Sequence, residues 1–361
     1  MTEFFFDYGL FLLKAMTIVV AIMAVIGVSV AVGMRTRKAT REGHIEVTRV
    51  NDEIDHLRDS LCETVIDPYV FKAQLKQRHK AEKAEHKAKV KKLKQATKKG
   101  AEKPVEQARK RRLFVLDFHG DMKASAVASL RREITAVLSL AETQDEVLLR
   151  LESGGGMVHA YGLASSQLQR IKDRDIPLTV CVDKVAASGG YMMACVASKL
   201  LAAPFAIIGS IGVVAQLPNF NRLLKKNDID FEMITAGEYK RTLTMFGENT
   251  KKGREKFVED IEDIHVLFKD FVLQHRPQLN IDKVATGEIW FGQRAIDNAL
   301  VDELMTSDEY IVNACNDSDV FEVKYCVKKS LPEKLGIGVH SAVDAVLLKW
   351  FDRGTRNQFY S

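Results

Sequence analysis

Cysteine is sparse and unpatterned in this chain. The five cysteines (Cys62, Cys181, Cys195, Cys315, Cys326) are odd in number, scattered and without a CxxC pair. That argues against a disulfide framework or a cysteine zinc site, and free thiols fit a reducing compartment. Aromatic residues are missing where charge is densest. Residues 72–112 hold 17 Lys/Arg against 4 Glu and no Phe, Trp or Tyr. A nucleic-acid arm needs stacking platforms or a binding motif besides charge, and this segment has neither. Its net +13 exceeds the +5 of the whole chain, so the remainder sums to −8. Large apolar side chains are also scarce there, which leaves no face to bury. The segment reads as a charged linker, a solvated helix or a disordered arm, with anionic lipid headgroups as its most economical partner.

Charge, in turn, is missing from residues 15–34, "AMTIVVAIMAVIGVSVAVGM". Twenty helical residues rise about 30 Å, the thickness of a hydrocarbon core. A cleaved signal peptide is the alternative. Against it stand the acidic lead residues Glu3 and Asp7, the length of the run and a poor cleavage site. The expectation is a retained single membrane span, with Phe4, Phe5, Phe6 and Tyr8 in the headgroup belt. Arg35, Arg37, Lys38 and Arg41 follow it, and the positive-inside rule puts the body of the protein in the cytoplasm.

From Leu113 the texture becomes α/β. Strands are expected at "LFVLDF", "EVLLRLES", "PLTVCVD", "LLAAP", "SIGVVAQ" and "DFEMITAG". Helices are expected over residues 124–140, at "AYGLASSQLQRIKD" and at "REKFVEDIEDIHVLFKDFVLQ", whose Phe257, Ile261, Ile264, Phe268 and Phe271 share one face. Such alternation implies a mostly parallel sheet covered by helices, with active groups outside the carboxyl ends of the strands.

Two glycine-rich turns fall at such ends. In "DKVAASGGYMMACVASKL", residues 183–200, Ser188 opens an apolar helix. It is either an N-cap or a nucleophile beside first-turn amides. In "ESGGGMV" three glycines follow a strand, either as a flexible turn or as backbone that approaches a ligand closely. An amide from that run, paired with the amide of Gly189, could cradle an oxyanion. A nucleophile needs a base, and no histidine lies between Ser188 and His265. His159 follows the glycines, His119 has no supporting pattern, and His265 sits within the long amphipathic helix. The other candidate is Lys240 in "FEMITAGEYKRTL", which is either a surface lysine or a base whose pKa falls from about 10.4 to near 7–8.

Taken together these motifs resemble the signal peptide peptidase A family of serine peptidases, in its SohB-type single-domain branch. "ESGGGMVHAYG" resembles the family's S-P-G-G turn, and "KVAASGGYMMAC" its nucleophile segment. "IGSIGVV", "GEYKRTLTMFGENT" and "VATGEIWFGQRAIDNALVDEL" resemble the strand, lysine and closing motifs that follow, over roughly residues 113–304. The resemblance implies an α/β crotonase-like (ClpP-like) fold with a Ser–Lys dyad. By position Ser188 matches the nucleophile and Lys240 the general base, while Gly155 and Gly189 match the oxyanion amides. No cofactor or metal is implied. Gly154 departs from the family, which usually has proline there, so the loop is expected to be looser.

The implied organisation is an anchor (1–34), a membrane-proximal region and basic linker (35–112), a peptidase domain (113–330) and a helical tail (331–361). The implied partners are signal peptides or other unfolded apolar peptides, membrane lipid, and further copies of the chain in a ring or dome. Resemblance to signal peptide peptidase A points to the periplasm, whereas the charge bias points to the cytoplasmic side of the inner membrane. Two rival readings share the fold: a catalytically inactive membrane scaffold and a crotonase-type acyl-CoA enzyme.

Overall fold

The computed structural model describes residues 13, 14, 16–18, 43–98 and 109–327. The expected span at 15–34, apart from residues 16–18, and the expected tail at 331–361 lie outside the described residues. Among the described residues no helix is long and apolar enough to cross a membrane.

The chain opens with β1 (His44–Arg49), α1 (Val50–Val65) and α2 (Pro68–Lys98). Strand and helix then alternate through β2 (Arg112–Gly120), α3 (Val127–Leu138), β3 (Glu146–Ser153), α4 (Val158–Lys172) and β4 (Leu178–Val182). Short elements follow: β5 (Val185–Ala187), α5 (Gly189–Ala194), β6 (Lys199–Ala202), β7 (Ile207–Gly209) and α6 (Asn221–Lys226). The chain then runs through α7 (Lys251–His275), α8 (Ile281–Val284), β8 (Ile289–Phe291) and α9 (Gly292–Asp297). It closes with β9 (Glu303–Leu304), α10 (Ser307–Ala314) and β10 (Asp319–Cys326).

The strands form one sheet in the order β1-β10-β2-β3-β4-β6-β9, with a branch β3-β5-β7-β8. Strand pairs from β10 to β9 are parallel, and β7–β8 is antiparallel. This helix-flanked α/β sheet is consistent with the expected ClpP-like fold. The central strands are buried on both faces, hence their nearly unbroken apolar sequences. Phe114, Leu116, Phe118, Leu149 and Leu151 meet α3 and α4 on one face. Leu113, Val115, Leu148, Cys181 and Leu201 meet Ile311 of α10 on the other, with Val50 and Ile54 of α1 packed alongside. Asn51 ties this helix to β10: its amide donates to the Cys315 and Ser318 carbonyls, and its side-chain oxygen accepts from Val320 N–H at 2.8 Å.

Residues 45–324 form one compact unit. In the other (1–44 with 325–361), Gly43 N–H donates to Tyr325 Oη at 2.8 Å. The basic segment is helical through Lys98, and Arg78 pairs with Asp55 and Asp59 of α1 at 3.1 and 3.2 Å.

Two expected strands do not form. "SIGVVAQ" and "DFEMITAG" form no strands: pairing stops at Gly209, and residues 210–220 and 229–250 are irregular. Among the described residues no strand pairs with them, and although Ile211 is fully buried, others of their apolar side chains stay in solvent (Val214 82 % and Ile234 94 % exposed). The long helix is present as expected, and its apolar face is the covered one: Phe268 is buried and Phe257, Ile261, Ile264 and Phe271 are half-buried.

One buried charge locks the turn before β3. Asp145 is fully buried and accepts from the guanidiniums of Arg109 and Arg112, each at 2.7 Å, and from the N–H groups of Arg112 and Glu142, each at 3.0 Å. Burial alone pushes its carboxyl up; the two guanidiniums and two amides outweigh that and hold it well below the usual range. A depressed carboxylate contributes its stability above its unfolded pKa, about 3.9, and loses it as the pH falls further. Asp145→Asn is therefore expected to cost about 3 kcal/mol at pH 7, the low end for breaking a buried pair because both guanidiniums keep some solvent. Urea midpoints of wild type and variant are expected to converge between pH 4 and pH 2.

Candidate active site

Strand β3 forks. Its first half pairs with β4, from Val147 opposite Leu178 to Arg150 opposite Cys181, and its last residue, Ser153, pairs with Ala186 of β5. Two residues onward from that pair stand Gly155 on one side and Ser188 on the other, so the register alone brings the two glycine-rich turns together. They touch: a Cβ on Gly155 would lie 2.6 Å from the Gly189 nitrogen, 2.7 Å from the Ala187 carbonyl oxygen and 2.8 Å from Ser188 Cβ. Gly155 also has φ +87, so glycine is required there twice over.

Ser188 occupies the N-cap position of α5, yet its side chain makes no capping hydrogen bond. Its backbone sits at φ 53 and ψ −119, the first corner of a type II′ turn and glycine territory. Such a conformation costs a side-chain-bearing residue on the order of 1–3 kcal/mol. It persists because both sides are tied. Ser188 N–H donates to the Gly209 carbonyl of β7 at 2.8 Å, and Met192 N–H donates back to the Ser188 carbonyl at 3.0 Å. The half-buried side chain is thus left without the capping bond usual at this position.

The other expected residues are distributed as follows. Gly189 opens the buried helix α5, at the place where an amide has no intrahelical acceptor. Gly155 stands beside Ser188, and its N–H donates to Ser153 Oγ at 3.1 Å. Gly154 has open space where a Cβ would go and a φ outside the left-handed region, so neither sterics at Cβ nor a positive φ requires glycine there. Lys240 is exposed in the irregular segment, after a turn closed by its own N–H on the Gly237 carbonyl (3.2 Å), and within the chain no hydrogen bond joins its amine to Ser188. His159 is exposed at the start of α4, and His265 is half-buried on α7. His119 faces Glu152 at 3.7 Å in a cavity of about 320 Å³ shared with Asp117, Arg150 and Lys184. Among the described residues no group of His, Cys, Asp and Glu could hold a metal ion.

One further side chain lies against these turns. Tyr161 of α4 is fully buried and joins Ser153 to the Asp121 carbonyl. Its only signal was the helical spacing of an ordinary core residue.

Relief of the Ser188 strain is measurable. Ser188→Gly is expected to unfold at a higher temperature than Ser188→Ala by the equivalent of about 1 kcal/mol, since only the glycine variant tolerates the corner. Equal melting temperatures would contradict a strained corner.

The chain matches the model of "Peptidase family S49 N-terminal" over residues 3–168 and that of "Peptidase family S49" over residues 170–320. It is 47 % identical over 353 residues to a "Probable protease SohB" of Haemophilus influenzae, covering 98 % of each chain. A protein of the same description from Buchnera aphidicola subsp. Schlechtendalia chinensis is 47 % identical over 311 residues, 86 % of this chain and 99 % of the relative. A putative protease of Methanocaldococcus jannaschii is 31 % identical over 212 residues, 56 % of this chain and 68 % of the relative. With both family models in succession and a relative matched almost end to end, this chain belongs to peptidase family S49.

Proposed function

We propose that the chain is a membrane-anchored serine endopeptidase that cleaves unfolded apolar peptides, signal peptides among them, through an acyl-enzyme on Ser188. The observation that carries this reading is the serine corner: a strained backbone, a hydroxyl not spent on capping, and the Gly189 and Gly155 backbone alongside. Ser188 Oγ attacks the scissile carbonyl carbon while the neutral amine of Lys240 takes the hydroxyl proton. The C–N bond then breaks, the proton passes to the leaving amine, and water hydrolyses the Ser188 ester with Lys240 again as base. Gly189 N–H and Gly155 N–H receive the oxyanion, the second as a three-centre bond shared with Ser153 Oγ. The cycle uses no metal or cofactor.

Lys240 must be uncharged to act, and burial is what lowers an amine's pKa. In one chain it is exposed, within a segment whose Phe231, Met233, Ile234 and Phe246 are exposed as well. A second copy of the chain covering residues 213–249 desolvates the apolar side chains and the amine together. The working form is thus a homo-oligomer, a ring or dome. Apolar substrate preference is supported by Met122 (65 % exposed), Met157 and Val158, which flank the oxyanion loop; Met157 N–H donates to the Met122 carbonyl. Residues 15–34 anchor the chain in the inner membrane, the basic segment lies against anionic headgroups, and the body is on the cytoplasmic side.

The test uses the full chain in lipid nanodiscs. A fluorophosphonate is expected to label Ser188 in the wild type, not at all in Ser188→Ala, and at least about 100-fold more slowly in Lys240→Ala. Labelling elsewhere, or undiminished labelling without Lys240, would overturn the dyad. Mixing the two inactive variants restores turnover if Lys240 serves a neighbouring subunit and leaves it absent if it serves its own.

A further inference from the structure

We infer that Tyr161 is a positioning residue that sets both oxyanion backbone segments from beneath, a role that rests on the peptidase reading above. Its hydroxyl is the centre of a one-way hydrogen-bond chain. Tyr161 Oη donates its single proton to the Asp121 carbonyl at 2.8 Å. Ser153 Oγ, 2.6 Å away, must therefore donate to Tyr161 Oη. That leaves Ser153 Oγ free to accept from Gly155 N–H at 3.1 Å. The Gly154–Gly155 peptide, which carries one proposed oxyanion donor, thus takes its orientation from a phenol two links away. Buried chains of this kind polarise each other and hold one geometry. Burial also raises the Tyr161 phenol above its ordinary value, with the Ser153 hydrogen bond opposing, so the proton stays on the ring oxygen.

The ring places the second donor. A Cβ on Gly189 would fall 2.5 Å from Tyr161 Cγ, so the residue bearing the other oxyanion amide rests directly on the ring. Glycines admit the arrangement on two further sides. A Cβ on Gly120 would lie 2.2 Å from Ser153 Oγ and 2.4 Å from Tyr161 Oη, and one on Gly190 would lie 2.4 Å from the Ser153 carbonyl oxygen. Phe118 meets the ring edge-on at 6.4 Å between centroids and completes its fixation. One side chain therefore registers β2, the oxyanion loop and the nucleophile helix against each other.

Tyr161→Phe keeps the ring and removes the hydroxyl; Ser153→Ala removes the middle link. With a fluorogenic apolar peptide amide, and turnover counted per site titrated with fluorophosphonate, each variant of the full chain is expected to lose about tenfold in kcat. That is less than the loss of an oxyanion donor outright, 10²–10³. KM stays within about twofold, and the double variant is no more than about twofold slower than the slower single, since both break one chain. Wild-type kcat per titrated site in either variant, even with a lowered melting temperature, assigns Tyr161 to folding alone and overturns the role. So does a multiplicative loss in the double variant. A wild type without Ser188-dependent turnover sinks the peptidase reading, and this role with it.

Discussion

A single backbone pair, Ser153 with Ala186, governs the chemistry-bearing part of this molecule. One edge of strand β3 is shared between two partners: its last residue, still paired with Gly120 of β2 on the other edge, joins the branch through β5 and β7. Because parallel register advances equally on both strands, the glycine loop after β3 and the serine after β5 emerge level with each other. A slip of one residue would move Gly155 off Ser188 and turn the side chains of β5 to the opposite face. The extensive core on both sides of β3 guards against that slip, so the site's geometry rests on the packing of Leu149 and Leu151 as much as on its own residues.

Close backbone approach is the second constraint. Around Ser188 the chain uses glycine wherever a methyl group would strike backbone or the buried tyrosine: Gly155 against the Gly189 amide, Gly190 against the Ser153 carbonyl, Gly189 against the Tyr161 ring. Ser188 itself holds a glycine-like conformation while carrying a side chain. A strained residue amid unstrained glycines fits a position kept for its hydroxyl. The Arg276–Asp302 pair holds the segment 299–302, against which Tyr191 of α5 is anchored. Arg276 donates to both Asp302 oxygens and to the Ala299 carbonyl, and Tyr191 Oη donates to the neighbouring Leu300 carbonyl at 2.9 Å.

What could be read without coordinates follows from how each segment is covered. β2, β3 and β4 were legible because both faces are largely buried within the chain and their residues are mostly apolar. Residues 213–217 and 229–236 also carry apolar side chains but find little cover among the described residues, so the pattern suggested strands where none form. Ser188 was legible as the head of a helix and as a candidate nucleophile; its strained φ was not, since neighbouring strands β3 and β7 impose it from a distance in sequence. The serine and both glycine turns come together as their motifs suggested, whereas Lys240 lies on the exposed segment. Tyr161 carried no signal because a buried tyrosine at helical spacing looks like any core residue until its hydroxyl partners are known.

The most direct measurement is a crystal structure of the full chain after reaction with a fluorophosphonate. The expected adduct is on Ser188 Oγ, with its phosphoryl oxygen about 2.7–3.1 Å from the Gly189 nitrogen and the same distance from that of Gly155. An adduct on another residue, or a phosphoryl oxygen pointing away from both amides, would contradict the assignment of this corner as the reacting centre.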